Sequence, residues 1–235
     1  MKKRIFSFFT KRPTVEDLQT SGVKVLLYLR YAKCGGTFLN TYFDEYYKNH
    51  IITILHIKPY KKDRYLSEFK DSFNKFFKFT FVRNPWSWQV SLYFHYRQSL
   101  QNPNRELFKN TFTSFKDWMI NRQNHDSAKH FGGPFNWEQD LFKNICYYNN
   151  VFLPDYVGKI ETMANDIKRI FEINQIKSIK AIEDFHNENK DVSKISNMSK
   201  HEHYSKYYTD DLIDLVYREN KEIIENFNYK FEDKR

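Results

Sequence analysis

A short apolar run, Val23 to Arg30 (VKVLLYLR), is followed after Tyr31–Cys34 by two adjacent glycines, Gly35 and Gly36, and then by a helical periodicity. The β-branched and aromatic members of the run suit a buried strand. Beyond the glycines, Phe38, Tyr42 and Tyr46 recur at i, i+4 and i+8, one face of a helix with Thr37 near its start. The whole chain of 235 residues has only six glycines and six prolines, below the ordinary usage of about 7% and 5%. Most of its loops are therefore built without glycine, and an adjacent pair marks a place where the backbone makes a demand. Strand, glycine turn and helix is the unit from which a parallel sheet is wound.

The unit repeats. Ile51 to Ile57 (IITILHI) reads as a second strand, RYLSEFKDSFNKF as a helix, and Phe76 to Val82 (FFKFTFV) as a third strand that ends at Arg83-Asn84-Pro85. Helices are expected through WSWQVSLYFHYRQSL and SFKDWMINRQ, then an irregular region around Gly132, Gly133 and Pro134. A short strand near Tyr156 to Ile160 precedes another helix. The last element, TDDLIDLVYRENKEIIENF, has Thr209 as N-cap, acids in its first turn, and Leu212, Leu215, Val216 and Ile223 on one face. Alternating strands and helices predict crossover connections and a mainly parallel sheet covered on both faces, an α/β three-layer sandwich. Residues 1–235 read as a single domain, with an N-terminal extension over 1–20 and an insertion over roughly 98–150.

Charge narrows the partner. Thirty-eight Lys and Arg against 29 Asp and Glu leave a formal charge of +9, which favours a polyanion or a phosphorylated ligand. Cys34 and Cys146 lie far apart in sequence with no CxxC or Cys/His ligand spacing, so neither a disulfide framework nor a metal site is indicated. The basic start is too weakly apolar for a signal peptide, and no stretch approaches the roughly 18 apolar residues of a spanning helix. The expectation is a cytoplasmic protein without a transmembrane segment.

Two stretches carry chemistry. In AKCGGTF, a helix N-terminus after a glycine turn offers an anion several backbone N–H groups and a positive helix end. Gly35 and Gly36 let the backbone approach a phosphate and Thr37 adds a hydroxyl, although Gly-Gly alone reads equally well as a bare tight turn. Lys33 precedes the glycines, whereas in GxxxxGK[ST] the lysine follows them, so an ordinary NTPase loop is disfavoured. In FTFVRNPWSWQVSLY, Arg83 sits at the carboxyl end of a strand, the rim where open sheets bind ligands, and a guanidinium there suits a phosphate. Ser91 follows on the next helix.

Together these motifs resemble the P-loop-like sulfotransferases, particularly carbohydrate sulfotransferases of the bacterial and heparan 2-O type. HIKPYKKDRYLSEF, PDYVGKIETMANDI and the stretch from His203 to Glu232 also look familial, in the expected order over nearly the whole chain. The resemblance implies a co-substrate, 3′-phosphoadenosine 5′-phosphosulfate (PAPS), and no metal. Lys33, Cys34, Gly35, Gly36, Thr37 and Phe38 would hold its 5′-phosphosulfate, and Arg83 and Ser91 its 3′-phosphate, helped by Ser199 and Lys200. Ala32 replaces the family's usual proline, and Trp88 stands where an arginine is common.

Sulfuryl transfer resembles phosphoryl transfer in being roughly in line, with charge accumulating on the leaving oxygen. Lys33 is placed to neutralise that charge. The acceptor hydroxyl needs a base, and His56, at the end of the second strand, is the candidate, in agreement with the resemblance. His125, His130 and His186 are reserves. His201 and His203 read as surface residues or neighbours of the cofactor loop. The insertion mixes Trp118, Trp137, Arg122, Lys129 and Gln139, suited to a carbohydrate or glycolipid acceptor; His130, Trp137 and Gln139 are the candidate acceptor contacts. Glu161 matches a family carboxylate whose role, structural or ligand-binding, stays open. Two rival classes remain: a P-loop-like kinase or nucleotide binder, which would need Mg²⁺-dependent ATP binding, and a basic nucleic-acid module. The second lacks the recognised nucleic-acid motifs, and no nucleic-acid partner is expected.

Overall fold

The computed structural model describes residues 24–48, 50–54, 75–98, 104–122, 141–188 and 201–235. The first run forms β1 (Leu26–Leu29), and the glycine turn leads into α1 (Gly36–Tyr46). Next come β2 (Ile51–Ile54), β3 (Phe77–Val82) and α2 (Pro85–Gln98). These lie within a few residues of the elements expected from hydrophobic periodicity. The helix expected over RYLSEFKDSFNKF falls almost entirely outside the described residues.

β6 (Tyr156–Lys159) joins β1 to β3 in a four-stranded sheet of order β2-β1-β3-β6, with every neighbouring pair parallel. Leu26 lies opposite Ile51 on one side and Phe77 on the other, and Phe79 lies opposite Tyr156. The chain winds outward from β1 to β2, then returns to place β3 on the other side of β1. The order reverses between β1 and β3, and at such a switch point the loops leaving the two strands diverge and open a crevice at their carboxyl ends. The loops bearing Lys33 and Arg83 are those two.

Every residue of β1 is buried, which is why its sequence is apolar throughout rather than alternating. Tyr28 stacks on Phe79 (5.2 Å between centroids, 15° between planes) and meets Phe43 of α1 edge-on at 5.6 Å. α1 buries Leu39, Tyr42 and Phe43 fully. The Phe38/Tyr42/Tyr46 face instead packs on Phe185, with centroids 5.2, 5.4 and 5.9 Å away. The helix is thus covered on two sides, the second by a short helix (Ile182–Glu188) that periodicity did not reveal.

The insertion contributes α3 (Arg105–Thr111), α4 (Phe115–Asn121) and α5 (Leu141–Cys146), the last leading into a hairpin, β4 (Tyr147–Tyr148) and β5 (Val151–Phe152). A 3₁₀ turn (Ile160–Thr162) follows β6 and opens α6 (Met163–Asn174), which precedes the Phe185 helix, α7. The final element is two helices, α8 (Asp210–Glu219) and α9 (Lys221–Asn226), broken at Asn220. Thr209 is the N-cap of α8 as expected, with Asp210 and Asp211 in its first turn. Among the described residues, no helix is long and apolar enough to cross a membrane.

Candidate functional site

The β1 turn is shaped by left-handed backbone. Lys33 has φ 60° and Gly35 φ 70°, a conformation cheap for glycine and strained for lysine. Residues that alternate between left-handed and ordinary geometry turn successive N–H groups toward one side, which suits an anion. The first intrahelical bond of α1 runs from the Leu39 N–H to the Gly35 carbonyl at 2.9 Å, so the amides before it lie outside the helical ladder. Gly36 has a further reason beside the one its sequence suggests. A Cβ there would lie 2.2 Å from Nε of Arg30, whose Nη2 donates to the Thr37 hydroxyl at 3.3 Å. The missing side chain makes room for a guanidinium over the helix start, and Arg30 was not singled out from sequence.

Arg83 comes to the same turn. Its Nη1 donates to the Lys33 carbonyl at 3.4 Å and its Nε to Ser87 Oγ at 3.0 Å. Asn84 caps α2: its side-chain oxygen accepts from the N–H of Trp86 (3.1 Å) and of Ser87 (3.3 Å), with Pro85 at the first helical position. The indole N–H of Trp88 donates to the Ala32 carbonyl at 2.7 Å, and its ring stacks on Tyr31 at 5.8 Å. Trp88 therefore braces the turn through backbone contact. Ser91 is buried one turn further along α2.

The electrostatics are those of an anion site. Among the described residues neither Lys33 nor Arg83 has a carboxylate within ion-pair distance. Burial, then the Arg83 charge, pushes the Lys33 ammonium down to about 8, and burial lowers Arg83 as well. Glu161, the nearby carboxylate, is already used. It accepts from the Asn84 N–H at 2.8 Å and from the Tyr229 hydroxyl at 3.0 Å, so its role is to brace the end of β3. Cys34 is fully buried beneath the turn, and its thiol is pushed up by that burial.

Of the other candidates, Phe38 turns its ring to Phe185 and to His186, the latter 5.8 Å away and exposed. Trp118 and Arg122 are not acceptor contacts. Both are buried, with Arg122 over the Trp118 ring at 5.1 Å, bonded to Gln89 at 2.7 Å and paired with Glu219. His201 stacks on Phe94 of α2 at 5.2 Å, and His203 hydrogen-bonds Ser205 Oγ at 2.9 Å. His56, His125, Lys129, His130, Trp137, Gln139, Ser199 and Lys200 lie outside the described residues. His95, on the α2 face that carries Trp88 and Ser91, was missed; spacing from Trp88 was the available signal.

A parallel sheet with a strained turn, a helix start and two cations at its switch point defines a P-loop-like α/β protein. The model of the sulfotransferase family matches residues 16–230, and the chain belongs to that family. It is a transferase of the class that moves sulfonate groups. A search of curated proteins finds no match to the chain.

Proposed function

We propose that the protein transfers a sulfonate from PAPS to a hydroxyl of a carbohydrate acceptor. The observation that supports this best is the meeting of Arg83 with the Lys33 backbone carbonyl across the switch point, at 3.4 Å, with no carboxylate within ion-pair distance of either side chain among the described residues. Two cations from two strand ends suit a ligand with two anionic ends. The β1 turn and α1 take the 5′-phosphosulfate through backbone N–H groups of Cys34–Phe38 and the Thr37 hydroxyl. Arg83 and Ser91 take the 3′-phosphate, joined by Ser199 and Lys200.

In the transfer, the acceptor oxygen bonds to sulfur as the bond from sulfur to the 5′-phosphate oxygen breaks, and the hydroxyl proton passes to His56. Lys33 neutralises the charge left on the departing phosphate. No metal is required in this scheme. The acceptor wall is assigned to residues 98–150, with His130, Trp137 and Gln139 as its contacts. A carbohydrate or glycolipid fits that mixture of aromatic and polar side chains.

Calorimetric titration with 3′-phosphoadenosine 5′-phosphate (PAP) against ADP tests the cofactor assignment. A preference for the bisphosphate of about tenfold or more, roughly 1.4 kcal/mol, is expected, together with its loss in Arg83→Ala. Equal affinity for the two nucleotides in the unaltered protein would remove the basis of this reading.

A further inference from the structure

His95 is the polar group near the cradle to which no role has been given. Trp88, Ser91 and His95 fall at i, i+3 and i+7 on α2, one stripe of the helix. The 2.7 Å bond from the Trp88 indole to the Ala32 carbonyl, one residue before Lys33, holds the first residue of that stripe against the turn. The imidazole is half-buried, and its ring neighbour is Tyr96 at 5.9 Å. Neither ring nitrogen has a hydrogen-bond partner among the described residues. Burial, and then the charge of Lys33, push the group down to about 4. At neutral pH the ring is uncharged and carries one N–H and one lone pair. Lys33, whose charge acts on the ring, and Arg83 serve any phosphate, whereas an imidazole N–H is a directional donor.

Resting on the reading of the cradle as a phosphosulfate site, we propose that His95 donates a ring N–H to the sulfonate being transferred. The side chain then distinguishes the donor, which carries that sulfonate, from the bisphosphate product, which does not. Its loss weakens the donor selectively, by about five- to tenfold, the size of one typical hydrogen bond.

The test is titration of PAPS and of PAP, without acceptor, into the unaltered protein, His95→Ala and His95→Asn, with thermal melts to establish folding. The expected result is PAPS weakened about five- to tenfold in His95→Ala, PAP changed by less than about twofold, and PAPS affinity regained in His95→Asn, which keeps an N–H donor. If His95→Ala does not fold, His95→Phe fills the space without a donor and carries the same comparison. Weakening of both nucleotides alike, or of neither, would overturn the role of His95 while leaving the cradle intact. Failure of the unaltered protein to bind PAP would instead remove the cradle reading, and this inference with it.

Discussion

Lys33 is held in a left-handed backbone beside Arg83, with its ammonium pushed down to about 8, first by burial and then by that neighbour. A bound phosphate offsets both effects and raises the group, so binding takes up a proton when the free lysine is neutral. Affinity for PAP is therefore expected to fall as pH rises through about 8, approaching tenfold per unit above it. Titrations at three pH values check this, and Lys33→Arg, whose charge does not titrate there, should flatten the fall. For folding the sign differs. A lysine lowered in the folded state destabilises it fully below about 8, and that penalty is relieved as pH rises toward the ordinary lysine range. Gly36 supports a second prediction, because a Cβ there meets Arg30 at 2.2 Å. Gly36→Ala should lower the melting temperature, and combining it with Arg30→Ala should recover most of the loss. Simple additivity in that double-mutant cycle would show that the two positions do not share the space.

At the scale of elements, α2 is aimed by its first turn and fixed by its second. Asn84 supplies the cap and also donates from Nδ2 to the Lys230 carbonyl at 3.0 Å. Asn84→Ala is expected to cost about 1–2 kcal/mol in denaturant unfolding and to weaken PAP binding, because Arg83 adjoins the displaced cap and Ser91 rides on the helix it starts. How far these elements could be read depended on what their residues face. β1 was legible because a buried strand is apolar throughout, β3 because Phe77, Phe79 and Phe81 alternate along it, and α2 because Asn84-Pro85 announces a helix start. Lys33 stood out as the lysine before the glycine pair, and Arg83 as the cation at the end of β3. Arg30 escaped notice because its role depends on an empty volume at Gly36 that spacing does not encode. α7 was hidden by shortness, and the burial of Trp118 and Arg122 was hidden because a buried cation with partners on α2 and α8 looks like a surface residue in sequence. The β4–β5 hairpin did carry a signal, since Asn149 and Asn150, both at positive φ, are the residues a two-residue turn favours.

Across the whole molecule, the end of β3 is closed by a distant stretch of chain. Lys159 Nζ donates to the Phe227 carbonyl at 2.6 Å, Tyr229 reaches Glu161, and the Glu232 N–H donates to the Tyr204 hydroxyl at 2.7 Å. Phe231 packs on Trp86, Tyr204 and Tyr208 at 5.8, 5.5 and 5.5 Å. A chain ending at Phe227 is expected to melt at lower temperature and to bind PAP more weakly, both effects together, because Glu161 and Asn84 lose partners at the same time. Unchanged affinity in a folded truncation would show that this segment serves stability alone. The brace also sets a schedule. During synthesis the strands bearing Lys33 and Arg83 emerge long before Tyr229 and Phe231, so a nascent chain holds the two cations without the wall that fixes their spacing. Nucleotide capture is then expected only once Tyr229 and Phe231 have been made and have packed against Glu161 and Trp86.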